Sequence, residues 1–417
     1  MGLTMREKRS VIRELSGRYR QGGKKQKKEL LDEVCALTGY NRSYASELLK
    51  RQSVRVTRGG RRTRRARERL YDEEVATSLT KIWVIMDCVC GKRLAPNLGE
   101  IVRVLERYGE IRLSDETRTK LSKISAATID RLLAPERRKL TPGSRSRTKP
   151  GTLLKHQIPI RTFSEWDEVR PGFVEIDLVG HDGGDGSGDF AQTLDATDVC
   201  TGWTETEAVR NKAQVHVFEA LLQIRQRLPF QLLGIDSDNG SEFINSTLLR
   251  FCQRERITFT RSRSGRKNDN CFVEQKNYSV VRRNVGYMRH DTEQELELLN
   301  LLYRKLRLYT NYFQPVMKLQ SKERAGARVR KSYDVAQTPY HRLLSSQELA
   351  KRAKLKLKAQ YEELNPAALK REIGRLQDDL IRMATAKIKR PGCRMAKVKR
   401  SAPASHPWRT TWSRKHT

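Results

Sequence analysis

Between residues 171 and 260 the hydrophobic period of the chain changes, and that change restricts the possible folds more than any other feature. Val174, Ile176 and Leu178 alternate with Glu175 and Asp177, the two-residue repeat of a strand with one apolar face. Residues 190–197 and 201–209 follow as two more strands, with Gly202 and Trp203 near the turn. Residues 215–227 then take helical spacing, with Val215, Phe218, Leu221 and Leu222 expected inward. A buried strand at 231–235 comes next. Residues 243–256 form a helix striped by Ile244, Leu248, Phe251 and Cys252, and 257–260 a short strand. Three strands followed by alternating helices and strands predict a mixed α/β sheet.

That region carries three carboxylates on separate elements: Asp177 on the polar side of the first strand, Asp238 just past a later strand, and Glu274 near a helix start. Held together without compensation they would raise one another's pKa and oppose folding. A divalent ion resolves the conflict, and Mg²⁺ suits a few carboxylates plus water and phosphate oxygens. Two such ions fit phosphodiester cleavage or transfer. Glu274 and Asn277 share a helix face, and Lys276, Arg282 and Arg283 are expected around them for phosphate contacts. Asp236 competes with Asp238, but the Asn239-Gly240 turn favours Asp238. Asp182, Asp185, Asp189, Asp195, Asp198 and Glu242 are expected at turns or facing solvent, His181 near the site, and Trp203 and Cys271 in packing. The glycine run 183–188 contains aspartates and lacks a following Gly-Lys-Ser, so a loop is expected there and not a phosphate cradle.

The rest of the chain supplies a polyanion's partner. Lys plus Arg number 84 against 49 acids, a formal charge of +35, which points to nucleic acid. Residues 1–70 hold 21 basic and 7 acidic residues around a helix, a tight turn at Gly39 with an Asn41 cap, and a second helix. In a helix-turn-helix the second helix enters the major groove, which puts Arg42, Ser43 and Ser46 at the bases. A plain helical hairpin is the alternative. Arg58 to Arg69 is an arginine-rich arm.

Residues 71–140 repeat the theme, with helical runs at 75–89, 98–108, 115–123 and 129–133 and a Ser125 cap, a second candidate DNA-binding module. Residues 141–170 are a basic linker and 171–315 the α/β domain. A helix is expected from Glu274 to about Met288 and another, capped by Thr292, through Leu308. Residues 316–385 are expected to be helical, broken at Asn365-Pro366, with Leu364, Leu369, Ile373, Leu376, Leu380 and Met383 near coiled-coil spacing. Residues 386–417 are expected to be a disordered basic tail. Seven scattered cysteines lack disulfide or zinc spacing, and no 18-residue apolar run occurs, so a reducing cytoplasm without membrane or zinc is expected.

Asp177 in Glu-Ile-Asp-Leu-Val, Asp238 in Ser-Asp-Asn-Gly-Ser-Glu-Phe and Glu274 in Val-Glu-Gln-Lys-Asn, with 35 residues between the last two, resemble the catalytic core of the retroviral-integrase superfamily. More narrowly, the chain resembles the integrase-like DDE transposases of bacterial insertion sequences, over roughly 170–315. The resemblance implies a ribonuclease-H-like fold with Asp177, Asp238 and Glu274 binding two Mg²⁺ or Mn²⁺ ions. It further implies hydrolytic nicking at element ends and 3′-hydroxyl strand transfer into target DNA. The His-His-Cys-Cys zinc domain of retroviral integrases is missing. Double-stranded DNA and at least a homodimer on it are the partners expected. A metal nuclease of the same fold and a transposase-derived DNA-binding regulator are the rival readings.

Overall fold

A computed structural model describes residues 3–56, 70–140, 170–238, 240, 242–262, 270–325 and 328–388. The chain divides into two compact units, Met1–Leu70 and Tyr71–Thr417. The arm at 58–69, the linker from 141 to 169 and the tail beyond 388 lie outside the described residues.

In the first unit, α1 (Met5–Gln21) opens with a capping box between Thr4 and Glu7, a reciprocal pairing that satisfies two otherwise orphaned backbone donors. α2 (Lys24–Thr38) ends at Gly39, whose φ of 69° is a left-handed turn that glycine adopts without strain. The Asn41 side chain then accepts from the Tyr44 amide at 2.8 Å and starts α3 (Arg42–Val56). Leu30, Leu31 and Val34 of the expected stripe close on Ile12, Leu15 and Tyr19 of α1 and on Ala45 and Leu49 of α3. The helix, turn and helix fall where the spacing put them. α1 is the addition, and it supplies the third wall of that core.

The second unit begins with α4 (Glu73–Ile85), α5 (Gly91–Leu94), α6 (Leu98–Arg107), α7 (Asp115–Ser122), α8 (Ala126–Leu132) and α9 (Ala134–Leu140). Ser125 caps α8 as expected. Read from sequence as a module of their own, these helices share one core with the far end of the chain: Leu79, Trp83 and Leu105 cluster with Leu302, Leu306 and Ile373. Helices this short cannot enclose their own apolar faces, and partners near the far end of the chain close them.

The sheet has the order β3-β2-β1-β4-β5, formed by β1 (Phe173–Gly180), β2 (Gln192–Asp198), β3 (Thr204–Val209), β4 (Gly234–Ser237) and β5 (Thr258–Arg261). β1, β2 and β3 pair antiparallel, and β4 and β5 run parallel to β1. α10 (Gln214–Arg227) and α11 (Ser246–Glu255) make the parallel crossovers. α10 buries Val217, Ala220, Leu221 and Ile224, and Val215, expected inward, is 57% exposed. Apolar residues nearly encircle that helix, so the sheet and not the spacing decides which stripe is buried.

α12 (Cys271–Lys276) passes into a π-helical turn (Asn277–Arg282) and then α13 (Arg283–Val285), where one helix was expected. α14 (Glu293–Phe313) starts with a capping box between Thr292 and Glu295. A two-stranded ribbon unforeseen from sequence follows, β6 (Leu319–Ala325) against β7 (Arg328–Tyr333). α15 (Pro339–Ser345), α16 (Lys351–Glu362) and α17 (Pro366–Ile388) complete the unit, and Asn365 caps α17 at the expected break. The expected coiled-coil stripe is used within the chain: Leu369, Ile373, Leu376 and Leu380 are buried in the core that holds α14. Among the described residues no helix is long and apolar enough to cross a membrane, and the six described cysteines are all free.

Candidate active site

β1 places Glu175 opposite Thr197 of β2 and Asp236 of β4, and Asp177 opposite Asp195 of β2. Paired residues project from the same side of a sheet, so acids gather on one face of the central strands. β4 ends at Ser237, which leaves Asp238 at the carboxyl end of the strand beside β1. Parallel sheets bind ligands outside such ends.

α12 lies over this acidic face. Glu175 Oε2 accepts from the Phe272 and Val273 amides, both at 2.9 Å, and so binds the first turn of the helix that carries Glu274. Asn277 Nδ2 donates to Asp177 Oδ2 at 2.6 Å, and the Leu178 amide donates to Oδ1 at 2.8 Å. The Gly240 amide donates to Asp238 Oδ1 at 2.9 Å. Glu274 itself is exposed.

Burial, with the charges of Asp238 and Glu274, lifts Asp177 to about 6. Burial also raises Asp238, with Glu242 adding to it. Glu175 rises to about 8, first through burial and then through Asp236 and Glu274, and its Oε1 has no partner among the described residues. Asp195, wholly buried, rises to about 8 despite the nearby Lys276. Lys276 falls to about 8 through burial and the Arg93 charge. A carboxylate pair so disposed to stay protonated is the environment a divalent cation stabilises.

Among the described residues no three His, Cys, Asp or Glu side chains converge as a ready-made ion cage. The donors nevertheless fit one in kind: Asp177, Asp238 and Glu274 offer hard oxygens, and Asp177 senses the other two electrostatically. Asp236 turns inward, 1% exposed, with the Thr260 hydroxyl donating to it at 2.6 Å. That leaves Asp238 as the acid of this pair beyond the strand end.

The remaining expected contacts divide. Arg42 and Ser43 are exposed on the first turn of α3, Arg42 paired with Asp32, and Ser46 is half-buried 3.5 Å from the Tyr19 hydroxyl. Lys276, expected on phosphate, is only 6% exposed and faces Asp195 beneath α12. Asn277 holds an acid of the site. Arg282 stacks over Tyr287 at 4.9 Å, and Arg283 pairs with Asp87 at 3.0 Å.

Asp195 and Asp198, expected at turns or facing solvent, are both fully buried, Asp198 where β2 ends and the turn begins. Asp198 accepts from the Gly172 and Thr201 amides, and α12 covers Asp195. The loop at 183–188 turns its carbonyls inward: Arg289 donates to the carbonyls of Asp185, Ser187 and Asp189. A loop that gathers a cation this way is no phosphate cradle. His181 is buried against the Thr193 hydroxyl at 2.7 Å. Glu175 is the residue that sequence reasoning missed. Its signal was present, two residues before Asp177 on the same side of the strand.

A mixed sheet of this order flanked by helices is the ribonuclease-H-like architecture of an integrase core. Residues 169–267 match the family model described as "Integrase core domain", a span that takes in Asp177 and Asp238 and stops before Glu274. The protein y4rM of Sinorhizobium fredii (strain NBRC 101917 / NGR234) is 40% identical over 331 residues, 79% of this chain and 93% of that protein. The chain belongs to the family of y4rM, and the core it carries is of the integrase type. Among solved structures it is similar to the catalytic core of BIV integrase, at 18% identity over 40% of this chain and 91% of that one, with a TM-score of 0.28. It is also similar to the HTLV-2 integrase core solved in complex with magnesium, at 16% identity over 35% and 89%, with a TM-score of 0.26.

Proposed function

We propose that the protein is a DDE transposase that nicks DNA at the ends of a mobile element and joins the freed 3′-hydroxyl to target DNA. The observation that carries this is Asp177 on β1 with Asp238 just past the end of the neighbouring parallel strand β4, beside a helix that brings Glu274 and is tied down by Glu175 and Asn277. Asp177, Asp238 and Glu274 would hold two Mg²⁺ or Mn²⁺ ions. Such ions supply Lewis-acid charge at phosphorus and favour deprotonation of the attacking oxygen.

The protein's own contribution is placement. Asn277 and the Leu178 amide fix both oxygens of Asp177, and Glu175 fixes the helix that aims Glu274. In the first step water attacks a phosphodiester and the bond to the 3′-oxygen breaks. In the second, that 3′-hydroxyl attacks a target phosphorus, one phosphodiester replaces another, and a target 3′-hydroxyl leaves. No covalent protein intermediate is needed.

The first unit serves recognition, with Arg42, Ser43 and Ser46 of α3 at the terminal repeats. One site acts on one end at a time, so the working assembly is at least a homodimer on DNA. The test supplies a duplex with a pre-cut 3′-hydroxyl end, a target duplex and Mg²⁺ or Mn²⁺. Joined product supports the proposal; cutting without joining points to a nuclease, and binding without either to a regulator.

A further inference from the structure

α16 carries Lys351, Arg352, Lys354, Lys356 and Lys358 within twelve residues and no acid before Glu362. Leu357 and Tyr361 bury its inner side. Helical spacing sorts the five cations into two rows, 351/354/358 and 352/356, on either side of Leu355, which is 67% exposed. Neighbours within a row stand three or four residues apart, where like charges destabilise a helix. Lys351, Arg352 and Lys354 occupy the first turn, which has no acid and no side-chain cap, although the macrodipole disfavours cations there.

Several cations on the adjoining α17 are matched. Lys370, Arg371 and Lys387 on α17 pair with Asp87, Glu110 and Asp291. None of the five on α16 has a carboxylate partner among the described residues. A face needed only for solubility would mix its signs. This helix accepts an electrostatic cost that an external polyanion would relieve.

We propose that the outer face of α16 docks the sugar-phosphate backbone of duplex DNA, independently of sequence and separately from α3. The proposal rests on the transposase reading for its choice of polyanion. Phosphates lining both rows would displace condensed counterions, and that release makes the contact salt-dependent.

The experiment uses the full chain, wild type and Lys351→Gln/Lys354→Gln/Lys358→Gln, with a duplex of random sequence in chelator across a salt series. The expected result is a plot of log affinity against log salt that is flatter by about 0.9 per lost phosphate contact, thus by about 1 to 3. The midpoint of thermal unfolding should stay equal or rise, because repulsions within the helix are removed. A lysine-to-arginine set at the same positions should keep the wild-type slope.

An unchanged slope in the glutamine set overturns the proposal. So does an arginine set that loses slope as the glutamine set does, or a loss confined to single-stranded RNA. No chemistry is required, and the same comparison in an Asp177→Asn background should give the same difference. Failure of strand transfer with the slope change intact would therefore sink the transposase reading alone, and successful transfer with no slope change would sink the α16 proposal alone.

Discussion

Replacing Glu175 tests how the site is held together. Its Oε2 is the acceptor for two backbone amides at the first turn of α12, and its Oε1 has no partner among the described residues. Glu175→Ala leaves both amides without that acceptor beneath a packed helix, at about 1–3 kcal/mol each. Removing a buried carboxyl offsets part of this, so a net loss of about 2 kcal/mol is expected. Glu175→Gln keeps an oxygen for the amides and puts an amide group where Oε1 now stands, so its stability should stay within about 1 kcal/mol of wild type. Because α12 carries Glu274, the alanine variant should join DNA about 10–100-fold more slowly, the usual effect of losing a group that orients a metal ligand. The glutamine variant should stay within a few-fold. Chemical denaturation, amide exchange at Phe272 and Val273, and a joining assay read these quantities separately. An alanine variant with unprotected amides and wild-type joining would refute the positioning argument, as would a glutamine variant as impaired as alanine.

Other expectations follow from the same face of the sheet. Asn277→Ala should slow joining by about tenfold with little loss of stability, because it frees an oxygen of Asp177 without opening the core. Lys276→Met removes a cation that burial disfavours beside an Asp195 that burial keeps protonated, so a denaturant titration should show stability unchanged or raised by about 1 kcal/mol, with the salt dependence of DNA binding unchanged. Without metal, stability should fall as pH rises from about 4 to 6, because a carboxyl whose folded pKa is raised favours its protonated form when folded. Asp177 alone, lifted from 3.8 to about 6, contributes about 3 kcal/mol to that fall. Asp177→Asn should flatten the curve in that window, and added Mg²⁺ should restore wild-type stability above it.

The alternation of Val174, Ile176 and Leu178 with two acids located β1, and the change of period after it gave all five strands to within a few residues. The helix, glycine turn and helix of the first unit were legible for a similar reason: Gly39 and Asn41 leave the chain few options. What the sequence concealed depended on contacts between distant segments. Lys276 looks like a phosphate ligand by position, and only the packing of α12 on β2 turns it toward Asp195. Asp195 reads as a turn or solvent-facing acid until α12 packs over β2. The leucine stripe of α17 has the spacing of an intermolecular seam, yet α14 of the same chain fills it. The π-turn at Asn277 has no signature in hydrophobic period, because one extra residue per turn preserves most of the buried face.

Asp177, Asp238 and Glu274 are proposed to perform phosphoryl transfer together. The most direct measurement is strand joining by Asp177→Asn, Asp238→Asn and Glu274→Gln, each given a pre-cut 3′-hydroxyl end, target duplex and Mg²⁺ or Mn²⁺, with DNA binding followed in parallel. Each variant should bind DNA as wild type does and lose joining by at least about a thousandfold, a deficit of about 4 kcal/mol in transition-state stabilisation. Full metal-dependent joining by any one of the three would contradict the account.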